Sequence, residues 1–555
     1  MISRPWLRNY DYCVPETLRY PRIPISDVVA VPASAFPDKT ATDFFGTEIS
    51  FYELRKQIVR MMNVLRGFGV KKGDRVGLHL PTCPQYIISF YAITGIGGIV
   101  VNLNPLYTPS ELEALARDTE PRALITFDLV LPNVRTLCQA IEIETVIVTG
   151  IADYIEGMPR ATAASLDLPE GWHHFSTLLE SCNNLQMSKR GEVYSEDPAV
   201  LQFTGGTTGT PKGAILTHAN LVAATLQCST WGNALNNLSP PETRRVLGLL
   251  PLFHVYGNIV VMNWAMFNCA TMILVPRFDL DELLNTIGRF DKITFFPCVP
   301  TVIDSLVNHP RAEKLDLGKR LGLLNSGAAP MATELIDQVV SMGIPFSEGW
   351  GMSETTSLGM SNPILGMRKT GSIGIPFPDT DVKLVDVNDG VTVVERGKPG
   401  EIVIKSPLVM KGYWNRPEET AEQLKDGWLH TGDLAVQDED DYFFIVDRKK
   451  DMVIAGGYNI YPREIDEVLY QHPKIAEAVA VGIADAYRGE TIKAYVVLRS
   501  GETCTEEEII GFCREKLAAY KAPKLVEFRE ELPKSAVGKI LRKVLRQEEE
   551  EKRKK

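Results

Sequence analysis

The chain has 555 residues, 45 % hydrophobic and 23 % charged, a globular balance that excludes wholesale disorder and is too long for one ordinary core. Typical domain sizes divide it into roughly three or four units, or one large α/β body with appendages. A net charge of −11, from 59 Lys and Arg against 70 Asp and Glu, lacks the footprint of a general nucleic-acid binder but leaves room for a local basic patch around a phosphorylated ligand.

Residues Met1–Ser26 mix Arg, Asp, Glu and Pro without an apolar stretch of signal-peptide length, so no export is expected. The nine cysteines stand singly with no CxxC pair, which argues for a reducing, cytoplasmic setting. From Phe51 the pattern alternates. Helical spacing covers Phe51–Phe68, Pro84–Ile96 and Ser110–Ala116, and apolar runs at Arg75–Leu80, Ile99–Asn102 and Arg122–Phe127 read as strands. Such alternation implies βαβ units and a mainly parallel sheet covered on both faces. It resumes from Ala199 to about Trp350.

Between Val246 and Pro276 no charged residue occurs in 31 positions, yet Pro251, His254, Gly257, Asn258, Asn263 and Asn268 break the run into pieces too short to span a bilayer. Buried strand and helix beside a pocket is the expectation; a peripheral membrane contact stays open. After Gly371 short strands with close turn signals suggest a β-rich subdomain. The charged run Asp447–Asp451 reads as a linker. Beyond it a helix (Pro462–Tyr470), two strands (Glu477–Ile483, Ile492–Leu498) and a helix (Thr505–Leu517) make a small α+β unit, and the charged tail Gln547–Lys555 reads as frayed. The expected architecture is α/β: an N-terminal body over residues 1–446 with βαβ layers and a β-rich subdomain, a hinge at 447–448, and a small mobile α+β cap over 449–555.

The strongest local signal is Leu201–Ala214. Three Gly and four Thr precede Lys212, after an apolar strand (Ala199–Phe203) and before a helical run (Ala219–Gln227). Glycines let backbone N–H groups wrap phosphate oxygens, hydroxyls add donors, and a lysine adds a point charge. No Gly-Lys-Ser/Thr stands at the Walker A offset, so a switch GTPase or P-loop ATPase is not expected.

Thr204-Gly-Gly-Thr-Thr-Gly-Thr-Pro-Lys-Gly213 resembles the signature loop of the AMP-forming adenylate synthetases, which include acyl-CoA synthetases, luciferases and peptide-synthetase adenylation domains. Gly327-Ala-Ala-Pro330, Gly349-Trp-Gly-Met-Ser-Glu354, Trp428-Leu-His-Thr-Gly-Asp433, the Asp447–Pro462 block and Pro533-Lys-Ser-Ala-Val-Gly-Lys539 follow in that family's order. The similarity covers essentially the whole chain, and the last two blocks look most like fatty-acyl-CoA ligases. The implied reaction joins a carboxylate to the α-phosphate of ATP and then passes the acyl group to a thiol, with ATP, Mg²⁺ and coenzyme A required.

The resemblance implies roles residue by residue. Thr204, Gly205, Gly206, Thr207, Thr208, Gly209 and Lys212 would hold the phosphates. Glu354, with Thr207, would ligate Mg²⁺, and Ser353 would contact the α-phosphate. Trp350 would stack on adenine, with Gly327, Ala328 and Gly351 lining it. Asp433 and Arg448 would reach the ribose, and Asp447 would be the hinge. Lys539 would bridge the substrate carboxylate and the α-phosphate; its neighbours Arg542 and Lys543 leave a basic surface patch as the alternative. Gly456, Gly457 and Tyr458 would border the coenzyme A channel after the cap rotates.

Phe253-His-Val-Tyr-Gly257 matches the family block near the acyl pocket, with His254 and Val255 as pocket candidates and a plain core histidine as the alternative. Relatives that activate amino acids carry an Asp hereabouts; this segment has no acid, and an unpaired buried ammonium is costly. A medium- or long-chain fatty acid is therefore the first expectation. An aromatic or alicyclic acid is the second, and an acyl-AMP ligase loading a carrier protein is the competitor on the acceptor side. A luciferase-like oxygenase and a non-enzymatic nucleotide sensor rank below these. A homodimer stays open; neither a nucleic-acid partner nor a transmembrane span is expected.

Overall fold

The computed structural model describes residues 4–186, 193–204, 211–329, 331–455, 458–485, 488–535 and 538–554. Helices begin where side chains replace the missing backbone partners. Ser50 Oγ accepts from Glu53 N at the head of the Phe51–Gly67 helix, and Thr108 with Glu111 forms a reciprocal capping box at Pro109–Thr119. The Pro84–Gly95 helix starts on its proline and is buried along nearly its whole length, so it lies inside the body rather than on it.

A seven-stranded sheet orders its strands, across space, as Trp172–His174, Thr145–Thr149, Ala123–Phe127, Arg75–Leu78, Ile99–Asn102, Pro198–Thr204 and Lys212–Thr217. All neighbours are parallel except the last pair. A second sheet runs Phe296–Cys298, Leu324–Ser326 and Phe346–Trp350 in parallel and continues with two short antiparallel strands. An antiparallel sheet carries Trp428–Gln437 beside Phe443–Arg448, which is the β-rich subdomain expected after Gly371. Among the described residues no helix is long and apolar enough to cross a membrane. The uncharged Val246–Pro276 stretch is instead buried strand and helix.

The buried cluster around Val453, Ile465, Ala494 and Cys513 shares no described member with the large core that ends at Phe443. The final unit thus has its own hydrophobic centre, built on the antiparallel pair Ile475–Asp485 and Gly489–Leu498.

Three expectations are corrected. Lys212 begins a strand, not a loop end: Lys212–Thr217 pairs antiparallel with Pro198–Thr204, with Thr204 opposite Lys212, and the helix His218–Trp231 comes only after it. The Gly/Thr segment is therefore flanked by two paired strands. The charged run is not all linker: Asp447 is the penultimate residue of the Phe443–Arg448 strand and is 2 % exposed. The tail is not frayed. Arg542–Lys554 is a helix whose Glu548 and Glu549 pair with Arg529 and Lys493, because those cations stand on the adjacent sheet and strand end.

Candidate active site

The body and the C-terminal unit enclose a continuous cavity of about 2390 Å³. Its floor is set by strand ends. Asn102 and Thr204 close two strands of the first sheet, and Ser326 and Trp350 close two of the second. Carboxyl ends of parallel strands are where open α/β sheets hold ligands.

Around the cavity the backbone is strained. Ala328, Thr356 and Ser357 adopt φ of 67°, 49° and 81°, left-handed values that cost non-glycine residues free energy. Gly351 has no alternative, since a Cβ there would sit 1.8 Å from the Ser357 carbonyl oxygen. The chain folds back upon Trp350-Gly351 so tightly that Ser353 and Glu354 are delivered into the cavity on a single 3₁₀ turn, Ser353–Thr355.

Glu354 is buried, and its Oε1 accepts the Tyr413 hydroxyl at 2.7 Å. Burial raises the carboxyl pKa, which the Tyr413 bond partly opposes. Lys212 Nζ lies 5.4 Å from the centre of the Tyr413 ring, so the three side chains form one group. No three His, Cys, Asp or Glu side chains among the described residues gather to form a metal cage. One buried carboxylate facing the cavity fits Mg²⁺, which keeps waters and completes its shell with phosphate oxygens.

Trp350 Nε1 donates to Asp433 Oδ2 at 2.8 Å, while Arg448 Nε stands 3.3 Å from Asp433 Oδ1. Asp433 and Arg448 are cross-strand partners, so the sheet register itself sets that pair. Asp447 accepts from its neighbour Arg448 N at 2.7 Å and from Arg463 N at 2.9 Å, gripping the start of the Pro462–Tyr470 helix.

Lys539 enters from the C-terminal unit. Its loop is held shut by Ser535 N to Lys539 O and Leu541 N to Pro533 O, both 2.8 Å, and Lys539 N donates to Ser535 Oγ at 3.2 Å. The loop rests on the body at Thr301, whose Oγ1 would lie 2.9 Å from a Cβ on Gly538, a residue with φ of 72°. Burial, then the nearby Arg448 cation, pulls the Lys539 ammonium down to about 7, with Asp433 opposing. His254 also lines the cavity. Burial and then the Lys539 charge push its pKa down to about 4, so it is a neutral ring near neutral pH.

The cavity thus gathers Thr204, Lys212, His254, Val255, Gly327, Ala328, Trp350, Gly351, Ser353, Glu354, Asp433, Asp447, Arg448 and Lys539. Gly205, Gly206, Thr207, Thr208, Gly209, Gly456 and Gly457 lie outside the described residues. Tyr458 opens the strand Tyr458–Ile460, which pairs with Val453–Ala455.

Sequence reasoning missed Tyr413, Thr301, Glu348 and Arg463. Glu348 lines the cavity opposite Arg463, and burial lifts its carboxyl to about 7. None of the four stands in a pattern that marks chemistry; each is found only by the fold. Arg542, three residues beyond Lys539, is paired with Asp466 and Asp451 and so is not free to form a basic surface patch.

Residues 29–414 match the profile of the AMP-binding enzymes, and residues 464–539 match the AMP-binding enzyme C-terminal domain. A long-chain-fatty-acid–CoA ligase of Bacillus subtilis (strain 168) is 41 % identical over 99 % of both chains. The crystal structure of ATP-bound MatB from Rhodopseudomonas palustris superposes with a TM-score of 0.83 at 30 % identity, over 94 % of this chain and 98 % of that one. The anthranilate CoA ligase AuaEII, in complex with anthranoyl-AMP, gives 0.85 at 27 % identity, over 97 % and 99 %. With both profiles matched in order around this cavity, the chain belongs to the AMP-binding enzyme family.

Proposed function

We propose that the protein is an ATP-dependent carboxylic acid–CoA ligase that makes an acyl-adenylate and then a thioester, acting on a medium- or long-chain fatty acid. One observation carries the reading. A single cavity joins a lysine ammonium, a tryptophan–aspartate–arginine set and a buried glutamate to a branch lined by Val255, Val260 and Trp264. The kinship with long-chain-fatty-acid–CoA ligases supports the same reading.

In the first half a carboxylate and a phosphate must meet. Two unit charges about 4 Å apart repel by roughly 4 kcal/mol at the effective dielectric of a protein surface, so the site must supply positive charge where they approach. Lys539, which lines the cavity, would bridge the two anions with its ammonium. Asp433 and Arg448 fix the ribose through charge-assisted bonds, and the Trp350 ring offers a face to the base. Glu354, with Thr207, would hold Mg²⁺, which supplies charge neutralisation on the phosphates when bound.

In the second half the coenzyme A thiol displaces AMP. Lys539 has no part there, and rotation at Asp447 would carry it away and bring the segment 456–458 to the cavity. The carboxylate of Asp447 grips backbone N–H groups on both sides of the linker, which suits a pivot. Nine free thiols support a cytoplasmic setting.

A panel of straight-chain, aromatic and alicyclic acids, offered with ATP, Mg²⁺ and coenzyme A, tests the reading. Pyrophosphate and thioester should rise together, highest for the longer straight-chain acids. Pyrophosphate without thioester would point to a carrier-protein acceptor, and a preference for aromatic acids would displace the fatty-acid assignment.

A further inference from the structure

The apolar branch of the cavity runs along one face of the helical segment that carries Tyr256, Val260 and Trp264. Tyr256 marks its nucleotide end, since a Cβ on Gly327 would lie 3.0 Å from the Tyr256 ring.

At the deep end stand Trp231 and Gly232, where the His218–Trp231 helix stops. Trp231 is 4 % exposed, and its Nε1 donates to Asn362 O at 3.0 Å. Phe377 packs on its ring at 4.8 Å, and Tyr10 meets it edge-on at 5.2 Å. Tyr10 precedes residue 29, where the family match begins.

Tyr10 is fixed in turn, its hydroxyl donating to Pro376 O at 2.7 Å. The next residue, Asp11, accepts the backbone N–H groups of Ile364, Leu365 and Gly366 at 2.6 to 3.2 Å. Ile364 itself lines the cavity. Two wall residues, Trp231 and Ile364, are therefore held from behind by two consecutive residues of an arm that reaches around the body. A buried carboxylate that satisfies three backbone donors is a strong local tie.

We propose that this N-terminal arm is the back plate of the acyl branch, with Tyr10 and Asp11 as positioning residues that hold Trp231 and Ile364 and so set the longest chain the enzyme accepts. The inference rests on the ligase reading above and assigns to it a length-setting element. Gly232 gives an independent handle on the same wall. Its φ of −78° suits any residue, and an added Cβ would meet Cys228 O, Ser229 O and Trp264 Nε1 at ordinary contact distances of 3.5 to 3.8 Å, so a side chain can be added there without backbone strain and would abut the cavity wall.

The test measures kcat/KM for thioester formation by the full chain on saturated acids of increasing length. Trp231→Ala and Asp11→Ala should raise the ratio of the longest to the shortest acid by at least about tenfold, the scale of a methylene or more in an apolar pocket. Gly232→Phe should lower that ratio by a similar factor. Asp11→Asn, which keeps an oxygen acceptor, should restore part of the wild-type profile, and Tyr10→Ala replaces Asp11→Ala if the latter does not fold. A merely structural arm would depress all lengths together, and unchanged ratios in the arm variants would overturn the proposal. A wild-type protein that makes no thioester with any acid would instead remove the ligase reading, and the length-setting role with it.

Discussion

The Tyr413 hydroxyl donates to Glu354 Oε1 at 2.7 Å, and both residues are 7 % exposed. This bond fixes the one buried carboxylate that faces the cavity from the Ser353–Thr355 turn, so Tyr413 acts on whatever Glu354 holds. Tyr413→Phe leaves a buried acceptor unpaired, at a cost of about 1–3 kcal/mol. The KM for Mg²⁺-ATP should rise about tenfold. The sign for pH follows as well. Burial raises the Glu354 pKa and the Tyr413 bond lowers it, so losing the bond raises it further. The acidic limb of kcat/KM, where the carboxylate protonates, should move to higher pH in the variant.

In the proposed role Lys539 must be charged to bridge two anions, yet its surroundings bring it down to about 7. In the free enzyme the ammonium is lost as pH rises through that value, so kcat/KM for adenylation should fall on an alkaline limb near pH 7. Lys539→Arg should remove that limb, because a guanidinium does not titrate there. Lys539→Ala should lose roughly 10²–10³-fold in adenylation while the thioester step from supplied acyl-adenylate is retained. Measured pH profiles without such a limb would contradict a titrating Lys539.

Trp350 donates to Asp433, and under the proposed function its ring also lies against the base. Trp350→Phe keeps the ring and removes the donor. The loss of one net hydrogen bond, about 1 kcal/mol, predicts an ATP KM roughly fivefold higher with little change in the thiol half. Trp350→Ala should cost distinctly more. Equal effects from the two substitutions would mean that the ring face contributes nothing.

The terminal helix is tied to its unit by charge. Lys493 stands 2.7 Å from Glu527 and 2.9 Å from Glu549, with its side chain 11 % exposed. Removing residues 548–555 leaves Lys493 and Arg529 with fewer partners. The unfolding midpoint of the C-terminal unit should fall. Calorimetry on the truncated chain checks it, and an unchanged midpoint would mean that the ties carry no net stability.

Periodicity marked elements whose character is local. The Phe51–Gly67 and Pro84–Gly95 helices and the Ile99–Asn102 strand stand within a residue or two of their expected bounds. Where the pattern failed, distant partners decided. Gln547–Lys555 looks solvated because its counter-charges, Lys493, Glu527 and Arg529, lie on other elements of the unit. Asp447 looks like linker because the Arg463 N–H that satisfies it comes from 16 residues on. Lys212 looks like a loop end because its strand owes its existence to pairing with Thr204. At the site, motif order named Glu354, Asp433 and Lys539. Tyr413, 59 residues from Glu354, sits in no motif and becomes visible only once the chain is folded.

Acid-dependent exchange of labelled pyrophosphate into ATP, measured without coenzyme A, isolates the adenylation half. The wild-type protein should exchange label when a longer straight-chain acid is present and not in its absence, and Lys539→Ala should cut that exchange by roughly 10²–10³-fold. No exchange with any acid in a broad library, or full exchange in Lys539→Ala, would contradict a cavity built to join a carboxylate to the α-phosphate of ATP.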